Sequence, residues 1–278
     1  FVPDHLHSPW GPLATMAAIA ATTTRIRVAP LVLACDLRNP AVVAKELATI
    51  DAISGGRLVV GLGAGYNPLD YERSGIPMAT PGVRVSRMIE YTAILRACFT
   101  GEPGASVDVR GEHFDVVGMV PGPGGTSPSG PPILIGGGGR RVLRHAALHA
   151  DIVGVNPSTA AGRDDPATFR DALPTSIDSK FQLVRETAGD RFDHLEFNAW
   201  ISWAAITDDA LGQAAGLAEW VGCTAAELLE SPLVLVGSQA QVIDQLERRR
   251  ERWGYHYMCL PQSEARTFAP VVAELSGR

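Results

Sequence analysis

Ile26-Arg27-Val28-Ala29-Pro30-Leu31-Val32-Leu33 is followed by Asn39-Pro40, by Ala41 to Ile53, and by Leu58-Val59-Val60-Gly61-Leu62-Gly63. The stretch reads as strand, helix, strand. The first run is apolar and β-branched, as a buried strand requires. Val43, Leu47 and Ile50 recur at helical spacing, Pro40 suits a first helical turn, and Ser54-Gly55-Gly56 stops the helix. The last run is a second strand. A strand, a helix and a strand this close together favour a parallel sheet covered by helices.

The pattern repeats outward from there. Phe1-Val2 reads as a strand stub before a helix over Pro12 to Thr23. Val83 to Phe99 reads as a helix, with Met88, Tyr91, Ile94, Leu95 and Cys98 on one face. Further strands are expected at 132–136, 151–155, 195–206 and 255–260. Helices are expected over 142–149, 166–188, 239–253 and 266–275, and a hairpin over 108–117. Residues 120–132 are dense in Gly and Pro and read as an irregular loop. With the stub this makes seven strands. A TIM-type (β/α)8 barrel needs one more βα unit before residue 1, so the first unit is expected to be absent from this chain; an open doubly wound sheet is the alternative. The chain is read as one domain over 1–278, with insertions at about 101–131 and 157–194. It lacks an initiating Met, which suggests a start inside a longer chain.

Composition narrows the function. Hydrophobic residues make up 46% of the 278 and charged residues 19%, which provides a substantial core and excludes wholesale disorder. The 24 Lys+Arg against 30 Asp+Glu give a net charge of −6, which argues against a nucleic-acid or anionic-membrane partner. No apolar run is long enough to span a membrane. Four scattered cysteines and no signal peptide fit reduced thiols in a cytoplasmic protein.

In a parallel barrel the chemistry sits at the C-terminal strand ends. Gly136-Gly137-Gly138-Gly139-Arg140-Arg141 ends a strand and opens a helix. Bare backbone N–H groups there suit an anion at the positive helix end, with Arg140 and Arg141 adding charge; a turn without ligand is the alternative. Gly61-Leu62-Gly63-Ala64-Gly65-Tyr66 is a second glycine-rich strand end, suited to a flat ring or simply to close packing. Asp4-His5-Leu6-His7-Ser8-Pro9-Trp10 places a carboxylate, imidazoles and an indole at a third. His5 is the candidate proton donor and Trp10 a stacking wall; no role is expected for His7, His113, His145, His149, His194 or His256. With no HExxH and no 2-His-carboxylate spacing, no metal is expected. No GxSxG elbow occurs, and Cys35 is a poor candidate nucleophile.

Ser54-Gly55-Gly56-Arg57-Leu58 running into Gly61 to Tyr66, together with Asn39-Pro40, Gly111-Glu112-His113-Phe114, Pro132 to Gly139 and Gly237-Ser238, resembles the luciferase-like monooxygenase superfamily. Asp4-His5 and the Gly136–Gly139 run resemble its actinobacterial branch, whose members use the deazaflavin coenzyme F420. The resemblance implies an α/β barrel of the bacterial-luciferase-like kind with the coenzyme ring at its C-terminal mouth. It also implies a non-proline cis peptide at about Pro30-Leu31-Val32, backing the ring. Asp4 and His5 would flank the reactive side and Ala64 and Gly65 contact the ring or ribityl chain. Gly137 to Arg140 would hold the phosphate, and Trp10 and Tyr66 would shape the substrate pocket. Arg38, Arg140, Arg141 and Arg163 are the basic residues expected near the acidic tail of the coenzyme. One departure is Tyr66, which stands where F420-dependent sugar-phosphate dehydrogenases carry a catalytic carboxylate. The expected activity is hydride transfer between F420 and a small organic substrate. The alternatives are an FMN-dependent monooxygenase using O2 and a flavin reductase partner, or a member that binds coenzyme without turnover. A homodimer is implied by the resemblance alone.

Overall fold

A computed structural model describes residues 1–102, 104–123, 126–160, 162 and 164–276. The fold divides into two units, residues 1–136 with 149–151, and residues 137–148 with 152–278.

In the first unit, Val2 bridges Pro30 and Val28 bridges Leu58, both in parallel. Parallel strands follow in the order β1 (Leu33–Ala34), β2 (Val60–Gly63), β5 (Ile133–Gly137), with Leu33 opposite Leu62 and Leu62 opposite Ile135. The expected strand over 26–34 is therefore interrupted. Pro30 has no N–H to donate to a ladder, and the Leu31-Val32 peptide is cis, at the place the resemblance implied. Gly61 and Gly63 accommodate this bulge: a Cβ at Gly61 would strike the Pro30 carbonyl, and one at Gly63 would meet the Val32 side chain. Close packing, one of the two readings of that glycine run, accounts for both.

Helices α1 (Pro12–Thr22), α2 (Pro40–Ser54), α3 (Pro68–Ser74) and α4 (Pro81–Thr100) belong to the same unit. Val43, Leu47 and Ile50 of α2 and Met88, Tyr91, Ile94 and Leu95 of α4 are buried, as their spacing predicts. The hairpin is β3 (Val107–Arg110) with antiparallel β4 (Asp115–Met119).

Two of the motifs that carry the resemblance turn out to be joints. Gly55 and Gly56 take positive φ of 66° and 85° and end α2. Arg57 then donates to the carbonyls of Ala20, Thr23, Ile26 and Ser54 and to the Thr23 hydroxyl, at 2.6–3.0 Å. It ties the end of α1 to the end of α2. At the hairpin tip, the amides of Glu112, His113 and Phe114 donate to the Glu90 carboxylate of α4 at 2.9–3.1 Å, and Gly111 leaves that carboxylate room.

The second unit holds α5 (Arg140–His149) and the parallel strands β6 (Ile152–Val155), β7 (Glu196–Trp200) and β10 (Tyr255–Cys259) in that order. A separate parallel pair joins β8 (Trp203–Ile206) to β9 (Val234–Gly237). The single strand expected over 195–206 is thus two strands. Ile201 donates to the Cys259 carbonyl while Ser202 and Trp203 both turn to Leu233, so the halves face different partners. The helix expected over 166–188 is also two, α6 (Pro166–Arg170) and α7 (Pro174–Ala188), because Leu173 before Pro174 is held extended. Helices α8 (Ala210–Val221) and α9 (Ala225–Leu229) and strand β9 were not anticipated, although Thr224 and Glu227 form a reciprocal capping box. Helices α10 (Gln239–Trp253) and α11 (Ala269–Leu275) close the chain. Ile201, Leu235, Val242 and Phe268 form one core cluster of this unit. Among the described residues no helix is long and apolar enough to cross a membrane.

Candidate active site

The first unit gathers the expected proton-transfer residue with two groups from the β2–α3 segment. Asn67 caps α3 by accepting from the Leu69 amide, Pro68 occupies its first turn, and Gly75 ends it at φ 70°. This short helix presents Asp70. One Asp70 oxygen lies 2.7 Å from His5 Nδ1, and the other accepts from the Leu6 amide at 2.9 Å. The Tyr66 hydroxyl lies 3.3 Å from His5 Nε2, with the two rings edge to face. His7 stacks on His5 at 4.9 Å between ring centres and is exposed.

The Asp70 side chain is 6% exposed. Burial pushes its carboxyl up, but the His5 imidazole, the Leu6 amide and the His7 ring together hold it below its ordinary value. An ionised Asp70 accepts a hydrogen bond from Nδ1–H, so Nε2 is the nitrogen left toward Tyr66.

Asp4 does something different from what the sequence suggested. Its buried carboxylate takes both terminal nitrogens of Arg38, at 2.7 and 2.8 Å, and the Ala34 amide at 3.0 Å. Burial works against the Arg38 charge, yet the Asp4 carboxylate holds that guanidinium above its ordinary value. Both Asp4 oxygens are committed to the turn after β1, and the carboxylate that orients His5 is Asp70. Arg38, expected to meet an acidic tail, is likewise engaged by Asp4.

Gly65, at φ 73°, leaves no room for a side chain against the Tyr71 hydroxyl, and its carbonyl accepts from Arg84 at 3.2 Å. The Tyr71 hydroxyl reaches the Ala64 carbonyl at 3.5 Å and Asp36 at 3.3 Å. Ala64 and Gly65 are therefore held from behind. Trp10 is 71% exposed, so the indole expected to wall the pocket lies at the surface. Cys35 is buried, and burial followed by Asp36 pushes its thiol well up, which fits an inert thiol. A cavity of about 410 Å³ is lined by the Cys35–Asn39 turn, Ile76, Arg87, His113 and Phe114; of the expected site residues only Arg38 reaches it.

In the second unit, the glycine run leads into α5. Gly138 has no space for a Cβ, because the backbone of Asn156 to Ser158 lies against it, whereas Gly139 faces open space. The Gly137 carbonyl accepts from the Asn156 amide at 3.3 Å. Among the described residues the amides of Gly138, Gly139 and Arg140 have no hydrogen-bond partner. Three unpaired N–H groups at the start of a ten-residue helix are the donor set an anion requires. Arg140 and Arg141 are exposed beside them, and Arg163 lies outside the described residues.

Asp70 and α3 escaped the sequence reading. The signal was present: Asn67-Pro68 repeats the Asn39-Pro40 opening of α2, and Gly75 repeats its glycine stop.

The fold is α/β with parallel strands, and one of its strand ends carries a glycine-rich segment beside an imidazole held by a carboxylate. The luciferase-like monooxygenase family matches residues 1–257, and the chain belongs to that family. An uncharacterized protein of Mycobacterium tuberculosis is 38% identical over 131 residues, 47% of this chain and 43% of that protein. The F420-dependent glucose-6-phosphate dehydrogenase of Nocardia farcinica is 35% identical over 152 residues, 52% of this chain and 42% of that protein. The matches thus span less than half the length of these curated relatives. The coenzyme F420 dependent tetrahydromethanopterin reductase of Methanopyrus kandleri superposes with a TM-score of 0.72 at 17% identity, covering 98% of this chain and 88% of that one. That likeness shows the fold, the parallel α/β fold of luciferase-like TIM-type proteins.

Proposed function

We propose that the chain belongs to an F420-dependent oxidoreductase acting on a small organic substrate. The observation that carries this reading is His5, held by Asp70 on one ring nitrogen and facing Tyr66 with the other. The residues present fit the phosphorylated part of the coenzyme, because the unpaired amides at the start of α5 suit a phosphate. The matched F420-dependent dehydrogenase supports the choice of deazaflavin over FMN.

When bound, F420 supplies hydride exchange at its deazaflavin ring. The chain supplies the proton. Asp70 keeps Nδ1 protonated and fixes the ring, so Nε2 gives or takes the proton that accompanies hydride transfer. Tyr66 lies within reach of Nε2 and serves as the neighbouring hydroxyl of that path. Asp4 and Arg38 fix the turn after β1. By the resemblance, Tyr66 stands where sugar-phosphate dehydrogenases carry a carboxylate, which supports a substrate other than a sugar phosphate.

The test is titration of the full-length protein with F420 and with FMN, followed by fluorescence. Saturable F420 binding with weaker FMN binding supports the proposal. Preference for FMN would point to the monooxygenase reading, and binding of neither would defeat both. F420 binding without turnover, with His5→Ala changing nothing, would indicate a binding protein.

A further inference from the structure

We infer that His5, His7 and Asp70 form a solvent-open site for a divalent transition ion of the Zn²⁺ class. No sequence spacing reveals it, because the carboxylate comes from α3, 65 residues beyond His5.

Two imidazoles and one carboxylate are a donor set that suits Zn²⁺, Co²⁺ or Ni²⁺ and not the hard ions Mg²⁺ and Ca²⁺, which prefer oxygen ligands. One ligand atom from each of the three residues lies within 4.8 Å of the others. Bonds to Zn²⁺ of about 2.0–2.2 Å in a tetrahedral site place ligand atoms about 3.4 Å apart, so the His7 nitrogen must draw in while His5 and Asp70 open slightly. The freedom for the inward movement lies in His7, which is exposed on a turn, while the His5–Asp70 pair, 2.7 Å apart as a hydrogen bond, widens when that hydrogen bond is replaced. The rings of His5 and His7 are stacked, with 18° between their planes, so the exposed His7 ring must rotate about its side-chain bonds before its nitrogen and that of His5 can meet one ion. Among the described residues no other trio of His, Cys or carboxylate groups comes together in this way.

The surroundings are those of a metal site. A ligating histidine usually has its second nitrogen hydrogen-bonded, and here Tyr66 lies 3.3 Å from His5 Nε2. A ligating carboxylate is usually held by a further donor, and here the Leu6 amide holds the second Asp70 oxygen. Three protein ligands leave a fourth position to water, and exposed His7 gives the entry path.

Occupation changes His5 without any net loss of protons from a neutral ring. The ion takes the lone pair of Nδ1 and one Asp70 oxygen, the Nδ1 proton moves to Nε2 through solvent, and Nε2–H donates to the Tyr66 oxygen. The Nδ1–Asp70 hydrogen bond is replaced by two metal bonds, and both ring nitrogens are then committed. Ion binding itself does not depend on the coenzyme reading.

The experiment uses the untagged chain without coenzyme. Co²⁺ is followed by its visible absorption and Zn²⁺ by calorimetry, with Mg²⁺ as the competing ion. One Zn²⁺ per chain is expected, removable by a chelator and indifferent to excess Mg²⁺. Asp70→Asn and His7→Ala should each weaken binding at least about tenfold. His7 is exposed, so His7→Ala tests the site without endangering the fold. Absence of saturable binding, or unchanged affinity in His7→Ala, overturns the inference. Either result leaves F420 titration untouched, so the two readings fail separately.

Discussion

At the scale of single residues, the proposed site is one imidazole held by one carboxylate. Replacing His5 by Ala is expected to lower turnover about 10²–10⁴-fold while leaving coenzyme affinity nearly unchanged, measured by steady-state kinetics beside a fluorescence titration. Asp70→Asn keeps the shape but loses control of the ring and should cost up to about 100-fold in kcat, with little effect on KM. Asp70 also makes a stability prediction. Its folded carboxyl titrates below the ordinary value of about 3.9, so the interaction contributes fully above that pH and is lost as pH falls through the lowered folded value. Melting temperatures of wild type and Asp70→Asn should therefore differ at neutral pH and converge in acid. Asp4 carries a different load. Asp4→Asn leaves Arg38 without its charge partner, and a loss of about 3 kcal/mol is expected in urea unfolding. His5 could be singled out in the sequence because a strand-end histidine is conspicuous. Its partner could not, because a carboxylate 65 residues away has no mark of its own until the chain folds.

At the scale of elements, the sequence was most legible where one face is buried and least where a segment changes partner. Helices α2 and α4 followed directly from their apolar spacing. The run from 195 to 206 read as one strand because alternation continues across Ile201 and Ser202, while the hydrogen bonds divide there between Cys259 and Leu233. Helix α3 has seven residues, too few for a periodic pattern, and only its Asn-Pro opening and Gly stop announce it. The start of α5 gives an element-scale test. Gly138→Ala must push the Asn156–Ser158 backbone away, so a stability loss of about 1–3 kcal/mol and weaker F420 binding are expected, read by urea unfolding and fluorescence.

At the scale of the whole molecule, a bound coenzyme should stabilise the chain by mass action. With F420 at about 100 times its Kd the gain is about 2.7 kcal/mol, and the melting temperature should rise by roughly 5 °C in a thermal scan. The chain also shows what a family pattern records. Arg57 donates to four carbonyls and a hydroxyl drawn from three segments, and a planar five-donor fork is the group able to do so. A lysine has three donors on one nitrogen and would leave acceptors bare. The Ser54-Gly55-Gly56-Arg57 stretch is thus a rivet, and cutting it would let three segments of this chain drift apart whatever reaction the strand ends run.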